Sequence, residues 1–148
     1  MKIVLLTITA LMISIGAKAQ VQHPVKWAYA SKKISATEVM VLLKATIDKG
    51  WHIYSQNPDG GGLKTTFTFK PSKEYILMGK TLEPKPIVKY EPAIKANVIY
   101  FENLVVFQQK VKLKSANKKT INGKLEYMAC KTQCLPPEEI TFNIPIGK

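Results

Sequence analysis

The chain contains no arginine, only two cysteines, and no uncharged apolar run longer than the 13 residues at positions 3–15. Its formal net charge of +12 therefore comes from lysine alone. Without the bidentate guanidinium group that recognises phosphate and guanine, we expect no nucleic-acid partner. A membrane-spanning helix needs about 20 apolar residues, so we also expect no membrane insertion of the mature chain.

The short apolar run at the N-terminus has the features of an export signal. Lys2 precedes it, and Ala17 and Ala19 follow it in the small-x-small pattern that signal peptidase cleaves. We therefore predict a signal peptide at residues 1–19 and one exported domain at residues 20–148. An uncleaved anchor is the alternative reading of the same run.

The remainder of the chain shows alternation of apolar and polar residues with a period of two, which is typical of strands. Prolines at positions 71, 84, 86 and 92 predict only short edge strands and loops in residues 70–97. About eight short strands without a helix predict an all-β protein, an antiparallel sandwich of two sheets. The regular strands are predicted at residues 25–34, 36–47, 51–54, 63–69, 104–113, 119–129 and 140–146.

Cys130 and Cys134 are separated by three residues, with Pro136 and Pro137 shortly after them. If the three residues form a tight turn, the two cysteines face each other across a hairpin at a distance that a disulfide tolerates. An exported chain meets an oxidising compartment, so we predict a Cys130–Cys134 disulfide.

The predicted disulfide has two interpretations, a reactive centre or a structural clip. Closing so short a loop stabilises a protein by only about 2 kcal/mol, which is little for a domain with its own core. Continuing the alternation of residues 119–129 places Cys130 with Lys124, Glu126 and Met128 on the wetter face, where another protein can reach it. These observations favour a reactive bond, and a redox-inert binding module with a local clip is the alternative.

A metal site is a further alternative, since His23 and His52 complete a Cys₂His₂ set with the two cysteines. Neither histidine stands at a spacing typical of zinc ligands, and the glycine run after Asp59 lacks the Gly-Lys-Ser/Thr of a phosphate loop. We therefore expect no metal and no bound cofactor.

Residues 126–137 (EYMACKTQCLPP), taken together with residues 50–57 (GWHIYSQN), resemble the N-terminal periplasmic domain of the thiol:disulfide interchange protein DsbD. That family has a strand ending in cysteine, a short loop, a second cysteine, one residue and then two prolines. The matching positions are Tyr127, Cys130, Cys134, Pro136 and Pro137.

The resemblance implies an immunoglobulin-like sandwich in the periplasm that takes electrons from a thioredoxin-like donor and passes them to oxidised envelope proteins. It implies that Cys134 exchanges with partners and that Cys130 resolves the mixed disulfide. The family's cap loop, which shields the disulfide, should fall at residues 90–94, with Tyr90 and Glu91 in its place. The thioredoxin-like partners are expected to act in trans.

Overall fold

The computed structural model describes residues 22–59, 62–115 and 119–146, so the predicted signal peptide lies outside the described residues. These residues form eleven β-strands and no helix, which confirms the all-β prediction. Accordingly, the described part of the chain contains no helix that is long and apolar enough to span a membrane. The strands are, in chain order, β1 (Val25–Lys33), β2 (Glu38–Ile47), β3 (His52–Tyr54), β4 (Thr66–Phe69), β5 (Tyr75–Leu82), β6 (Ile87–Glu91), β7 (Ala96–Glu102), β8 (Leu104–Leu113), β9 (Lys119–Tyr127), β10 (Ala129–Cys130) and β11 (Glu138–Ile146).

All strand pairs between these elements are antiparallel, and they form three sheets rather than the two predicted from the sequence. The first sheet has the order β1-β2-β8-β5, the second β10-β3-β7-β6, and the third β11-β9-β4. The third sheet arises because β9 ends at Tyr127, and the chain then joins the second sheet through β10.

The core lies between the first and third sheets and extends to Ile53 and Phe101 of the second sheet. Every second residue of β2 is buried, from Val39 to Ile47, as the period-two pattern predicted. Across the core, Trp27 of β1 contacts Phe67 of β4 edge-to-face, with ring centroids 6.1 Å apart. Tyr29 of β1 and Phe142 of β11 have ring centroids 5.7 Å apart. The predicted antiparallel sandwich is thus confirmed, with aromatic rings filling the space between its layers.

Gly123 in β9 is a point of close approach inside this sandwich. A Cβ atom at this position would collide with the ring of Phe142 and lie 2.6 Å from the carbonyl oxygen of Thr68. Phe142 is the cross-strand partner of Gly123 in β11, and its ring covers the glycine. The missing side chain therefore makes room for a core aromatic ring.

The proline-rich middle of the chain forms longer strands than predicted. β5 has eight residues at the edge of the first sheet, and its pairing with β8 shifts register between Met78 and Leu82. β6 lies at the edge of the second sheet, as proline placement predicted, and β7 was not predicted as a strand of its own. β6 and β7 form a hairpin that projects beside the two cysteines.

Candidate functional site

The two cysteines form a disulfide across a three-residue turn, as predicted. Cys130 ends β10, Cys134 forms an isolated antiparallel bridge with it, and their Cα atoms are 4.0 Å apart. The amide of Leu135 donates a hydrogen bond to the carbonyl oxygen of Ala129 at 2.9 Å, which closes the base of the turn. Pro136 and Pro137 follow outside any strand and withhold two backbone donors, so the chain leaves the ladder before β11 begins.

The two sulfur-bearing residues differ sharply in accessibility. Cys130 is only 2% exposed, whereas Cys134 is exposed. Cys130 does lie on the face opposite Tyr127 and Ala129, but the prediction that it is accessible there was wrong, because it lies beside His52 of β3 and contacts the Tyr54 hydroxyl. Tyr127 and Ala129 are buried toward the core, as the alternation predicts, and Cys130 is buried on the other face. An approaching protein therefore meets Cys134 first.

A row of three polar side chains crosses the second sheet at the level of the disulfide. Cys130 of β10 is the cross-strand partner of His52 in β3, and His52 is in turn the partner of Glu102 in β7. Directly paired residues of antiparallel strands project to the same face with Cβ atoms about 4.5–5.5 Å apart. The three side chains also line the same groove. The sheet therefore places a cysteine, a histidine and a glutamate side by side.

Tyr54 reaches both sulfur atoms from the next position on the same face of β3. Its hydroxyl donates a hydrogen bond to the Sγ atom of Cys130 at 3.3 Å and lies 3.7 Å from the Sγ atom of Cys134. Burial raises the pKa of Tyr54, which keeps its hydroxyl protonated and able to donate. The hydroxyl is thus placed to stabilise negative charge on sulfur.

His52 is half-buried between aromatic rings. Its ring centroid lies 5.5 Å from that of Tyr54 and 4.9 Å from that of Tyr100. Burial lowers the pKa of His52, Glu102 opposes this by raising it, and Lys89 adds a smaller lowering effect. The net direction is downward, which favours the neutral imidazole at neutral pH.

The disulfide opens into a groove with a volume of about 650 Å³. The strands of the second sheet form its floor, and the turn between β6 and β7 forms one wall. Of the two predicted cap residues, Glu91 lines the groove together with Ile94 from that turn, whereas Tyr90 is 59% exposed and is not among the lining residues. Tyr127 does not line the groove either; it is buried in the core, and its hydroxyl donates a hydrogen bond to Glu138 at 2.7 Å.

The loop after β3 contributes Pro58 and Asp59 to the groove lining, and its first residues are held by Glu83, which sequence analysis did not identify. The Glu83 carboxylate accepts hydrogen bonds from the Ser55 hydroxyl at 2.5 Å, the backbone amide of Gln56 at 3.0 Å and the side-chain amide of Asn57 at 3.0 Å. Farther along the loop, Asp59 accepts a hydrogen bond from Asn97 of β7 at 2.9 Å. These contacts fix the segment that follows Tyr54.

The described residues contain no group of three or more His, Cys, Asp or Glu side chains placed to hold a metal ion. His23 lies 3.7 Å from the Glu138 carboxylate, while His52 faces the disulfide. Both cysteines are engaged with each other. The alternative Cys₂His₂ set is therefore not assembled in this part of the chain.

His52, Tyr54 and Glu102 were not predicted as site residues. Residues 50–57 stood out in the sequence as a segment of the family resemblance and as a short predicted strand, and His52 only as a member of the alternative metal set. Their place beside the disulfide depends on β10 pairing with β3, and β3 and Cys130 lie far apart in the sequence. The alternation of His52 and Tyr54 around the buried Ile53 was the one local signal that both face the same side.

Comparison with known proteins identifies a family and several similar folds. The family model described as thiol:disulfide interchange protein DsbD, N-terminal, matches residues 19–145. The N-terminal periplasmic domain of ScsB from Proteus mirabilis superposes with a TM-score of 0.61 at 20% identity, covering 82% of this chain and 46% of that one. The chain thus spans about half the length of the ScsB structure.

Two structures from Neisseria meningitidis are also similar. The reduced DsbD N-terminal domain gives a TM-score of 0.53 at 16% identity and covers 90% of this chain and 95% of that one. The DsbD N-terminal domain in complex with the PilB N-terminal domain gives a TM-score of 0.55 at 14% identity. The match covers 84% of this chain and 87% of that one. No curated protein sequence matches the chain significantly. These similarities confirm the immunoglobulin-like fold predicted from the resemblance.

Proposed function

Because the chain belongs to the family of the N-terminal domain of the thiol:disulfide interchange protein DsbD, we propose that it relays reducing equivalents by thiol–disulfide exchange at Cys130 and Cys134. The observation that carries this proposal is that Cys134 is exposed and Cys130 is buried. Their disulfide closes only a short turn and lies beside an open groove. A bond at the mouth of a groove is accessible to a partner, and its short loop contributes little to stability.

In the proposed reduction step, a donor thiolate attacks the exposed Sγ atom of Cys134. A bond forms between the donor sulfur and Cys134, and the Cys130–Cys134 bond breaks with its electron pair going to Cys130. The leaving thiolate of Cys130 receives the hydrogen bond of Tyr54. The donor's second thiol then displaces Cys134, which leaves the donor oxidised and this domain reduced.

In the proposed delivery step, the reaction runs in the opposite sense with a different partner. The Cys134 thiolate attacks a disulfide of an oxidised protein, and Cys130 then attacks Cys134 to release the reduced product. Cys134 is thus the exchanging cysteine and Cys130 the resolving one, with no cofactor involved. The burial of Cys130 supports this division, since a buried thiol is reached by Cys134 and not by a bulky partner.

The partners we propose are thioredoxin-like donors and oxidised envelope proteins. The complex of a DsbD N-terminal domain with a PilB N-terminal domain supports a protein partner for this fold. We propose that a partner's polypeptide reaches Cys134 through the groove, whose lining includes residues of the β6–β7 turn and of the loop at residues 55–59.

A periplasmic location and cleavage after residue 19 belong to the same proposal. The family model begins its match at residue 19, where the predicted signal peptide ends, and the ScsB relative is a periplasmic domain. Intact mass of protein recovered from the cell envelope is expected to correspond to a start at Gln20. Recovery of a form that retains Met1 would contradict cleavage.

The reduction potential separates a redox relay from a binding module with a structural clip. We expect a value within the range of exchange proteins, from about −270 to −120 mV, when the protein is equilibrated with dithiol buffers. A potential below about −300 mV would identify a structural disulfide and would refute the relay.

A further inference from the structure

His52 and Glu102, which form a row with Cys130 across the second sheet, have no role in the exchange steps proposed above. Each member is the direct cross-strand partner of the next, and all three line the groove. Cys130 is the resolving thiol in the proposed function, and it is buried. A buried thiol is difficult to ionise, because desolvation disfavours the thiolate.

We propose that His52 is the general base that deprotonates Cys130 in the resolving step, with Glu102 as the positioning residue that orients the imidazole. This inference rests on the proposed function and adds a catalytic residue to it. Strand pairing places a nucleophile, a basic side chain and a carboxylate in sequence on one face of adjacent strands, the order in which such groups act together.

The resolving step transfers one proton and exchanges one disulfide bond for another. In the mixed disulfide, the Cys130 Sγ–H proton passes to a nitrogen of His52, and the resulting thiolate attacks the Sγ atom of Cys134. The Cys130–Cys134 bond forms, and the bond between Cys134 and the partner breaks with its electron pair leaving on the partner's sulfur. The imidazolium then loses its proton to the departing thiolate or to water, which restores neutral His52.

The surroundings of His52 suit this task. Burial keeps the imidazole neutral and therefore able to accept a proton. Glu102 stabilises the imidazolium once it forms, whereas Lys89 of β6 disfavours it. The other charged groups lining the groove are Glu91 of β6, Asp59 of the loop after β3, and Lys131 of the cysteine turn. The rings of Tyr54 and Tyr100 hold the imidazole plane in place.

Tyr54 and His52 have different parts in this scheme. The Tyr54 hydroxyl is a donor to Cys130 and stabilises the thiolate after it has formed. His52 removes the proton. The two residues lie on one face of β3, on either side of the buried Ile53.

The experiment follows resolution of a mixed disulfide with a small probe. The reduced protein is mixed with oxidised glutathione, quenched with acid at successive times, and analysed by intact mass between pH 5.5 and pH 9.5. The mass separates the glutathione adduct from the internally oxidised protein, so the resolving rate is read directly. The His52→Phe variant preserves the ring contacts with Tyr54 and Tyr100 but has no basic nitrogen.

We expect His52→Phe to slow resolution at pH 7 by at least about tenfold, since general bases contribute about 10²–10⁴-fold. The difference should close near pH 9.5, where the thiol ionises without help. Glu102→Gln should slow the resolving step less than His52→Phe does. It provides a second variant for the same measurement if His52→Phe folds poorly. His23→Phe, at the other histidine, should resolve at the parent rate.

Equal resolving rates at pH 7 for the parent, His52→Phe and Glu102→Gln would overturn the role of His52 while leaving the exchange function intact. A uniform loss at every pH in His52→Phe would also overturn it, because structural damage does not depend on thiol ionisation. If the parent protein neither forms the glutathione adduct nor becomes internally oxidised, the proposed function itself fails, and the role of His52 fails with it.

Discussion

The hydroxyl of Tyr54 donates a hydrogen bond to the Sγ atom of Cys130 at 3.3 Å, joining residues that are 76 positions apart in the sequence. The pairing of β3 with β10 produces this contact. In the proposed exchange, charge develops on Cys130 when the disulfide opens. A hydrogen bond to a charged group contributes about 1.5–3 kcal/mol, more than one to a neutral sulfur.

The Tyr54→Phe variant should therefore raise the pKa of the Cys130 thiol in the reduced protein. The shift is upward because the variant lacks the hydroxyl that stabilises the thiolate. The Cys134→Ser background leaves Cys130 as the only thiol, and thiolate absorbance in the ultraviolet reports its titration. Tyr100→Phe is the matched control, because the Tyr100 ring lines the same groove and contacts His52. An unchanged titration in Tyr54→Phe would show that the hydroxyl does not stabilise the thiolate.

Single-cysteine variants should distinguish the two sulfur atoms. Cys130→Ser leaves the exposed Cys134 without its resolving partner, so a covalent complex with a thioredoxin-like protein should accumulate. Cys134→Ser should trap little, because Cys130 is buried. Non-reducing gels and mass spectrometry of envelope extracts provide the measurement. Trapping by Cys134→Ser alone would reverse the roles, and trapping by neither variant would favour the inert binding module.

Reduction of the disulfide should leave the fold intact. The bond closes only a short loop, so its loss should lower the free energy of unfolding by about 2 kcal/mol at most. Far-UV circular dichroism and urea denaturation, with and without reductant, test this expectation. A reduced protein that is unfolded at room temperature would identify the bond as a structural staple.

Acidification should destabilise the protein through His52. Burial holds the pKa of His52 below its ordinary value of 6.5, so the unfolded chain binds the proton more readily than the folded one. The contribution to stability is complete above pH 6.5 and is lost as the pH falls from there through the folded pKa. Urea denaturation at pH 7.5 and pH 5.5 should show a smaller difference for His52→Phe than for the parent. An identical pH dependence in both proteins would contradict the lowered pKa.

Gly123→Ala should destabilise the sandwich by about 1–3 kcal/mol, because an added methyl group meets the Phe142 ring and the Thr68 carbonyl oxygen. The backbone oxygen cannot move without disturbing the pairing of β4 with β9. Thermal or urea denaturation measures the change. Thr120→Ala, an exposed position on the same strand, should stay within about 0.5 kcal/mol of the parent. Equal stability of Gly123→Ala and Thr120→Ala would show that the ring of Phe142 moves aside at little cost.

The core strands were predictable because each carries its own alternation. Val39, Val41 and Leu43 lie on one face of β2 and are fully or nearly fully buried, as a period of two requires. β7 was missed because all of its positions except Phe101 and Glu102 are half-buried, so the contrast between its two faces is weak. β5 was expected to be short because of its proline neighbours, yet no proline lies within it.

The site was only partly predictable. The Cys130–Cys134 bond followed from local spacing, since three residues suffice for a tight turn. The burial of Cys130 did not, because the alternation assigns it to the outer face and only the pairing with β3 brings His52 and Tyr54 against it. His52 and Glu102 reach the cysteine through strand pairings that join distant parts of the sequence.

Because the cysteine turn is short, reduction of the disulfide affects only a small part of the structure. Opening or closing it changes the covalent constraint only over residues 130–134, and the pairing of β10 with β3 is made by the backbone on the other side. The opposite end of the sandwich, where the Ser31 hydroxyl donates a hydrogen bond to the Pro145 carbonyl oxygen, belongs to other strands. A partner that distinguishes the reduced dithiol form from the oxidised disulfide form therefore has to contact the groove itself. A protein docked elsewhere on the surface would bind both forms alike.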